Sequence, residues 1–248
     1  MIKKIFIILI LALLWSCSST VDTSNMTADE HLKYAMSLYN DEDYQKAVKE
    51  FQAIILQFAG SAVNDDAQFY LAMSYFKQEQ YLLAAYEFSK LIRDIPASPF
   101  VPEAQFMLAD SYYELSPPYP LEQTYTKKAI QEFQAFIDFF PVDKRVEEAE
   151  RKIDELNNKL AQKEYHSALI YERMGYYNAA IKYYGLVVDT YHDTKFAPMA
   201  LYRKIELLVQ KNRKSEALRD ISFFLSKYPD SDKINDIKKL QTELVASL

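Results

Sequence analysis

Cysteine, glycine and tryptophan are nearly absent: the 248 residues include one cysteine, three glycines and one tryptophan. A single thiol excludes an internal disulfide, so stability has to come from packing. Three glycines leave no phosphate-cradling glycine loop and no strand-to-helix nucleophile turn. Histidine is scarce as well, and His31, His166 and His192 stand too far apart to pair as metal ligands on one helix face. The apolar run from Ile5 to Trp15 spans eleven residues, short of the roughly 20 that a membrane-crossing helix needs. Positive charge is not in excess: 29 Lys and Arg face 35 Asp and Glu, a net charge of −6, which argues against nucleic acid as a partner. Glu147, Glu148 and Glu150, beside Arg145 and Arg151, read as a solvated helix face. Without a catalytic constellation, the expectation is a protein that is not an enzyme and uses no cofactor or metal.

The one cysteine is informative by its place. Lys3 and Lys4 open the chain, the short apolar run follows, and Leu14-Trp15-Ser16-Cys17 closes it. That order is a basic start, a signal-peptide core and a small-residue cleavage site. A cysteine directly after the site resembles the bacterial lipobox, although Trp15 stands where small or aliphatic residues are usual. The expectation is a signal peptide over 1–16 and acylation of Cys17. A lipidated tether then runs over 17–27. Each buried acyl methylene contributes about 0.8 kcal/mol, and more than one chain is needed for a stable anchor. Ser18, not aspartate, after the cysteine points towards the outer membrane. Loss of Lys3 and Lys4 with the leader would make the mature charge two units more negative.

What the chain has in quantity is aromatic: 20 tyrosines and 15 phenylalanines. They recur in a pattern. Ala35-Met36-Ser37 returns 37 positions later as Ala72-Met73-Ser74, and Tyr44, Ala47 and Phe51 return as Tyr81, Ala84 and Phe88. Small residue, aromatic, small residue, aromatic, then proline is the tetratricopeptide spacing. Alanines let two helices approach, an aromatic plugs the gap, and proline stops the second helix. Five units follow: first-helix positions Ala35, Ala72, Ala109, Ala168 and Ile205; second-helix alanines Ala47, Ala84, Ala129, Ala180 and Ala217; plugs Phe51, Phe88, Phe133, Tyr184 and Ile221. The expected fold is an all-α, right-handed superhelical solenoid of five tetratricopeptide-type hairpins plus a C-terminal capping helix. Repeats 1–2 occupy 28–100, repeat 3 with a Pro-rich insertion 101–143, repeats 4–5 with an elongated helix 144–232, and the cap 233–248, with Ile234, Ile237, Leu244 and Leu248 on one face.

Two units break the rhythm. Unit 3 carries eight extra residues around Pro117-Pro118-Tyr119-Pro120, a stiff extended segment. Unit 4 has fourteen extra residues before Ala168, close to four helical turns, and a stretch from Arg145 to Met174 without Gly or Pro predicts one long helix. These insertions are either drift in length or a partner-binding elaboration.

The repeat frame assigns Leu32, Met36 and Tyr39 to the concave surface in unit 1, Phe69, Met73 and Phe76 in unit 2, and Phe106 and Tyr113 in unit 3, beside Asp110 and Glu114. Such a surface suits adaptable capture of apolar or aromatic side chains. The alternative is that these residues only contact neighbouring helices.

Lipobox, five repeats, prolonged third linker and long fourth-unit helix together resemble the BamD family, the lipoproteins of the outer-membrane β-barrel assembly machinery. The most specific stretches are Tyr119 to Pro141, with Gln123-Thr124-Tyr125 and Lys128-Ala129-Ile130, and Lys159 to Asp193, with Tyr171-Glu172-Arg173 and Asn178-Ala179-Ala180-Ile181. The resemblance implies a lipid-anchored, periplasm-facing scaffold at the outer membrane. In it the N-terminal repeats recognise unfolded outer-membrane proteins and the C-terminal repeats dock BamA, the barrel-forming subunit, with other assembly lipoproteins as further partners. A tetratricopeptide lipoprotein coordinating envelope division or peptidoglycan enzymes is the second reading of the same features.

Overall fold

Each hairpin needs a sharp turn, and the chain makes four of them with a left-handed residue at one repeated position: Glu42, Glu79, Gly175 and Asn212, at φ between 55° and 79°. Only one of the four is glycine, so scarcity of glycine is met by accepting about 1–2 kcal/mol of strain at Glu42 and Glu79, and by asparagine, which enters this region more readily, at position 212. Unit 3 has no such turn; its Pro-rich insertion stands there instead.

The computed structural model describes residues 21–246. Among them are eleven α-helices and no strands: α1 (Ala28–Asn40), α2 (Tyr44–Gln57), α3 (Asn64–Lys77), α4 (Tyr81–Asp94), α5 (Val101–Glu114), α6 (Thr124–Phe139), α7 (Val146–Arg173), α8 (Tyr177–Thr190), α9 (Phe196–Gln210), α10 (Lys214–Lys227) and α11 (Ile234–Ala246). Cys17, the leader, Ser18 and Leu248 lie outside the described residues. Every helix packs on the next in sequence, and first helices also touch across units, α1 on α3 and α7 on α9. This is a solenoid of five tetratricopeptide-like hairpins closed by α11, whose Ile237 and Leu244 are buried.

Small-residue, alanine and plug positions are 0 % exposed in all five units, from Ala35, Ala47 and Phe51 to Ile205, Ala217 and Ile221. A residue with no room to grow at every hairpin sets the spacing of the whole array. Helix starts are fixed locally. Thr27 caps α1 and exchanges hydrogen bonds with Glu30 in a capping box. Helices α2, α4, α6, α8 and α10 end two residues before Ala59-Gly60, Pro96, Pro141, His192-Asp193 and Pro229.

A buried polar latch joins the two helices of units 1–3. His31 Nε2 meets the Glu50 carboxylate at 2.7 Å, while Gln68 and Gln105 donate to the Glu87 and Glu132 carboxylates at 2.7 and 2.9 Å. The amides also donate to the backbone carbonyls of Glu87 and Glu132. All three latch residues are buried, and each is hydrogen-bonded to its partner carboxylate there.

The two irregular insertions fold against each other. Lys159 Nζ donates to Ser116 Oγ (2.9 Å), Lys163 Nζ donates to the Leu121 carbonyl (2.6 Å), and the Tyr119 ring stacks on His166 at 5.0 Å. Gln123, buried within the loop, donates to the carbonyls of Pro118 and Leu121. Lys159, Lys163 and His166 lie on one face of α7, so the added helical turns are the bed on which the Pro-rich segment rests.

Candidate binding surface

Contact of α1 with α3 and of α7 with α9 puts the first helices on the more tightly curved side of the array. Side chains pointing inwards from them form its inner wall. In unit 1, Leu32, Met36 and Tyr39 are half-buried, and the Tyr39 ring meets Tyr44 at 5.4 Å and Tyr70 at 5.2 Å, edge to face. Burial, helped by Tyr44, Tyr70 and Glu103, pushes the Tyr39 phenol up to about 12, so it stays a neutral donor. In unit 2, Met73 and Phe76 are half-buried, Phe76 against Tyr81 at 5.2 Å. In unit 3, Tyr113 is half-buried, and its phenol is pushed up to about 12 by burial and a hydrogen bond to Glu155.

Phe69 and Phe106 differ from the expectation. Phe69 is 3 % exposed, stacked on Phe100 at 4.5 Å; Phe106 is 5 % exposed, edge-on to Phe133 and Phe136. Both rings are spent inside the wall, because the start of the following hairpin closes over them. They brace the surface and do not line it. Tyr70 and Tyr81, which the repeat frame left out, are half-buried beside the inner-wall rings and complete the aromatic band.

At the joint between units 3 and 4 the apolar pattern changes. Tyr70, Met107 and Lys152 each stand three residues after a fully buried alanine, namely Ala67, Ala104 and Ala149. The first two are partly buried core residues. The third is a lysine, 8 % exposed, ion-paired with Asp110 and lying 4.7 Å from the Tyr113 ring centroid and 5.6 Å from those of Phe106 and Phe133. Asp110 itself replaces Met36 and Met73 in the repeat frame. Arg145, read above as part of a solvated face, is half-buried over the Phe106 and Phe136 rings and bound to Asp143; Glu147, Glu148 and Glu150 are exposed.

Units 4 and 5 present a more polar wall. The buried Tyr184 hydroxyl donates to Glu172 at 2.7 Å, and Arg203 bridges Glu172 and Glu206. Burial opposes the Arg203 charge, but those two carboxylates outweigh it and raise its pKa. Beside this network is a cavity of about 490 Å³ lined by Tyr165, Met199, Tyr202, Arg203 and Lys233, among others. Among the described residues there is no group of His, Cys, Asp and Glu able to hold a metal ion, and no helix is long and apolar enough to cross a membrane.

The family model YfiO, outer membrane lipoprotein, matches residues 24–214. The chain belongs to this family, the BamD family. The match runs from just before α1 through four hairpins into the fifth, covering the whole inner wall of this YfiO-family chain. No relative among curated proteins matches the sequence. Solved structures similar to it include a tetratricopeptide-repeat protein from Bacteroides fragilis, at 14 % identity and a TM-score of 0.48, covering 90 % of this chain and 99 % of that one. Another is a thermophilic tetratricopeptide-repeat protein of Thermus thermophilus, at 16 % identity and a TM-score of 0.37, covering 89 % and 100 %. A third is the TPR2AB domain of yeast Sti1 in its complex with pHSP90, at 14 % identity and a TM-score of 0.44, covering 88 % and 84 %.

Proposed function

We propose that this protein is a non-catalytic, lipid-anchored subunit of the outer-membrane β-barrel assembly machinery, held by Cys17 on the periplasmic face of the outer membrane. In this reading the inner wall of units 1–3 binds aromatic-rich segments of unfolded barrel proteins through Leu32, Met36, Tyr39, Met73, Phe76 and Tyr113, with Phe69 and Phe106 bracing them. Units 4 and 5 dock a BamA-like barrel-forming subunit, and other assembly lipoproteins join the complex. The observation that carries the reading is membership of an outer membrane lipoprotein family across residues 24–214. A half-buried band of methionine and aromatic side chains on the inner helices supports it, because such side chains adapt to varied apolar partners.

Depletion of the protein, followed by measurement of folded barrels in the outer membrane, tests the role directly. Folded-barrel levels should fall; unchanged levels would refute the assignment. Affinity purification from solubilised membranes should recover a barrel-forming subunit, whereas recovery of peptidoglycan or division enzymes in its place would favour the envelope-scaffold reading. Replacing Cys17 with alanine should abolish lipid labelling, and normal labelling in that variant would defeat the anchor assignment.

A further inference from the structure

We propose that the inner wall of units 1–3 prefers polypeptide segments in which lysine or arginine stands beside aromatic residues, a charge preference that rests on the peptide-binding reading above. A carboxylate recurs along the first helices with the period of the repeat: Asp29, Asp66 and Glu103, 37 positions apart, each in the first turn of α1, α3 and α5. Each precedes by seven residues, two helical turns, and so shares a helix face with, Met36, Met73 or Asp110. Among the described residues none of the three carboxylates is in an ion pair. Arg145 is close enough to feel Glu103, but its guanidinium is committed to both oxygens of Asp143 at 2.8 and 2.7 Å.

The rings on this wall feel the uncompensated charge. Burial raises the Tyr70 phenol, and Asp66 and Glu103 raise it further; Tyr81 is raised by burial and then by Glu114. The Asp66 carboxyl is raised by burial and by neighbouring Asp65. Ring faces and carboxylates attract the same partner, a cation; Asp66 is half-buried, where the attraction strengthens, while Asp29 and Glu103 are exposed and act through water. The chain itself supplies one example at the next joint, where Lys152 lies on Asp110 beside Tyr113 and Phe106. An acidic segment on the same wall would meet repulsion, so selectivity comes from both signs. The competing account is that first-turn acids only complement the positive helix terminus.

The test uses the full chain purified in detergent and three labelled synthetic peptides of identical aromatic content, with lysine, glutamine or glutamate at alternate positions. Fluorescence anisotropy should show the lysine peptide binding about tenfold more tightly than the glutamine peptide, and the glutamate peptide more weakly still. High salt should collapse these ratios. The variant Asp66→Asn with Glu103→Gln should keep its affinity for the glutamine peptide and lose the lysine preference. Equal affinity for all three peptides, abolished by Tyr39→Ala with Phe76→Ala, would overturn the charge preference and leave the peptide-binding reading standing. Binding of none of the three would overturn both. If the carboxylate variant melts earlier while the lysine-to-glutamine ratio is unchanged, the acids are helix-terminus partners and the proposal fails.

Discussion

Replacing Lys152 with methionine isolates the joint between units 3 and 4, where a cation stands in the place that Met107 and Tyr70 fill one and two units earlier. In the wild type, Lys152 and Asp110 have side chains only 10 % and 14 % exposed and satisfy each other. Truncating one member of a buried ion pair costs about 3–5 kcal/mol, because the other charge is left without a partner. Residual exposure at this joint lets water reach Asp110, so about 2–3 kcal/mol is the expected loss for Lys152→Met. The repeat supplies its own control. One unit earlier, Met73 and Met107 occupy the corresponding places and pack in an apolar cluster. The double variant Asp110→Met with Lys152→Met should therefore return to within about 1 kcal/mol of the wild type, a rescue of roughly 1–2 kcal/mol relative to Lys152→Met alone. Because solenoids unfold by neighbouring units, the assay is urea denaturation read together with amide hydrogen exchange in α5 and the first half of α7. Lys152→Met as stable as wild type would refute the reasoning. So would a double variant no better than the single one.

At Asp143, hydrogen bonds from Arg145 hold the carboxyl at about 2, below its ordinary 3.8. A folded value below the unfolded one gives stabilisation that is full above the unfolded value and lost as pH falls through the folded one. Asp143→Asn should thus melt earlier than wild type at neutral pH, with the gap closing between about pH 4 and pH 2; a gap constant through that window would contradict the pairing. Tyr119→Ala removes the ring stacked on His166 and should speed hydrogen exchange in residues 116–123 and in the middle of α7, with unit 1 unaffected. Uniform change along the chain would argue against local docking. Ala84→Leu forces a larger side chain into a position that is 0 % exposed and should cost about 1–3 kcal/mol; a neutral result would show that unit 2 can widen.

The hairpins were legible because close helix approach demands alanine at fixed intervals, and the plugs Phe51, Phe88, Phe133 and Tyr184 repeat that demand at a larger volume. The long α7 was legible because nothing in it breaks a helix. The wall was only partly so. The spacing that points Phe69 inwards is the same spacing that points it at Phe100, and burial there is decided by a residue 31 positions away. Asp110 and Lys152, 42 residues apart, hide for the same reason: each looks like a solvated helix residue until the fold brings them together. Lys159, Lys163 and His166 did carry a signal, being one face of a helix opposite a tyrosine-bearing loop. That the two insertions serve as each other's support shows only when the fold brings Ser116, Leu121 and Tyr119 onto that face.

The 28 residues of α7 run for about 42 Å, and its two halves answer to different neighbours. The first completes the packing of unit 3, while the second is a member of unit 4. An unbroken rod shared in this way leaves no joint at the midpoint of the array, so the angle between its front and rear portions is set by the straightness of one helix. Whatever fixes the orientation of the rear portion therefore also fixes the heading of the front wall.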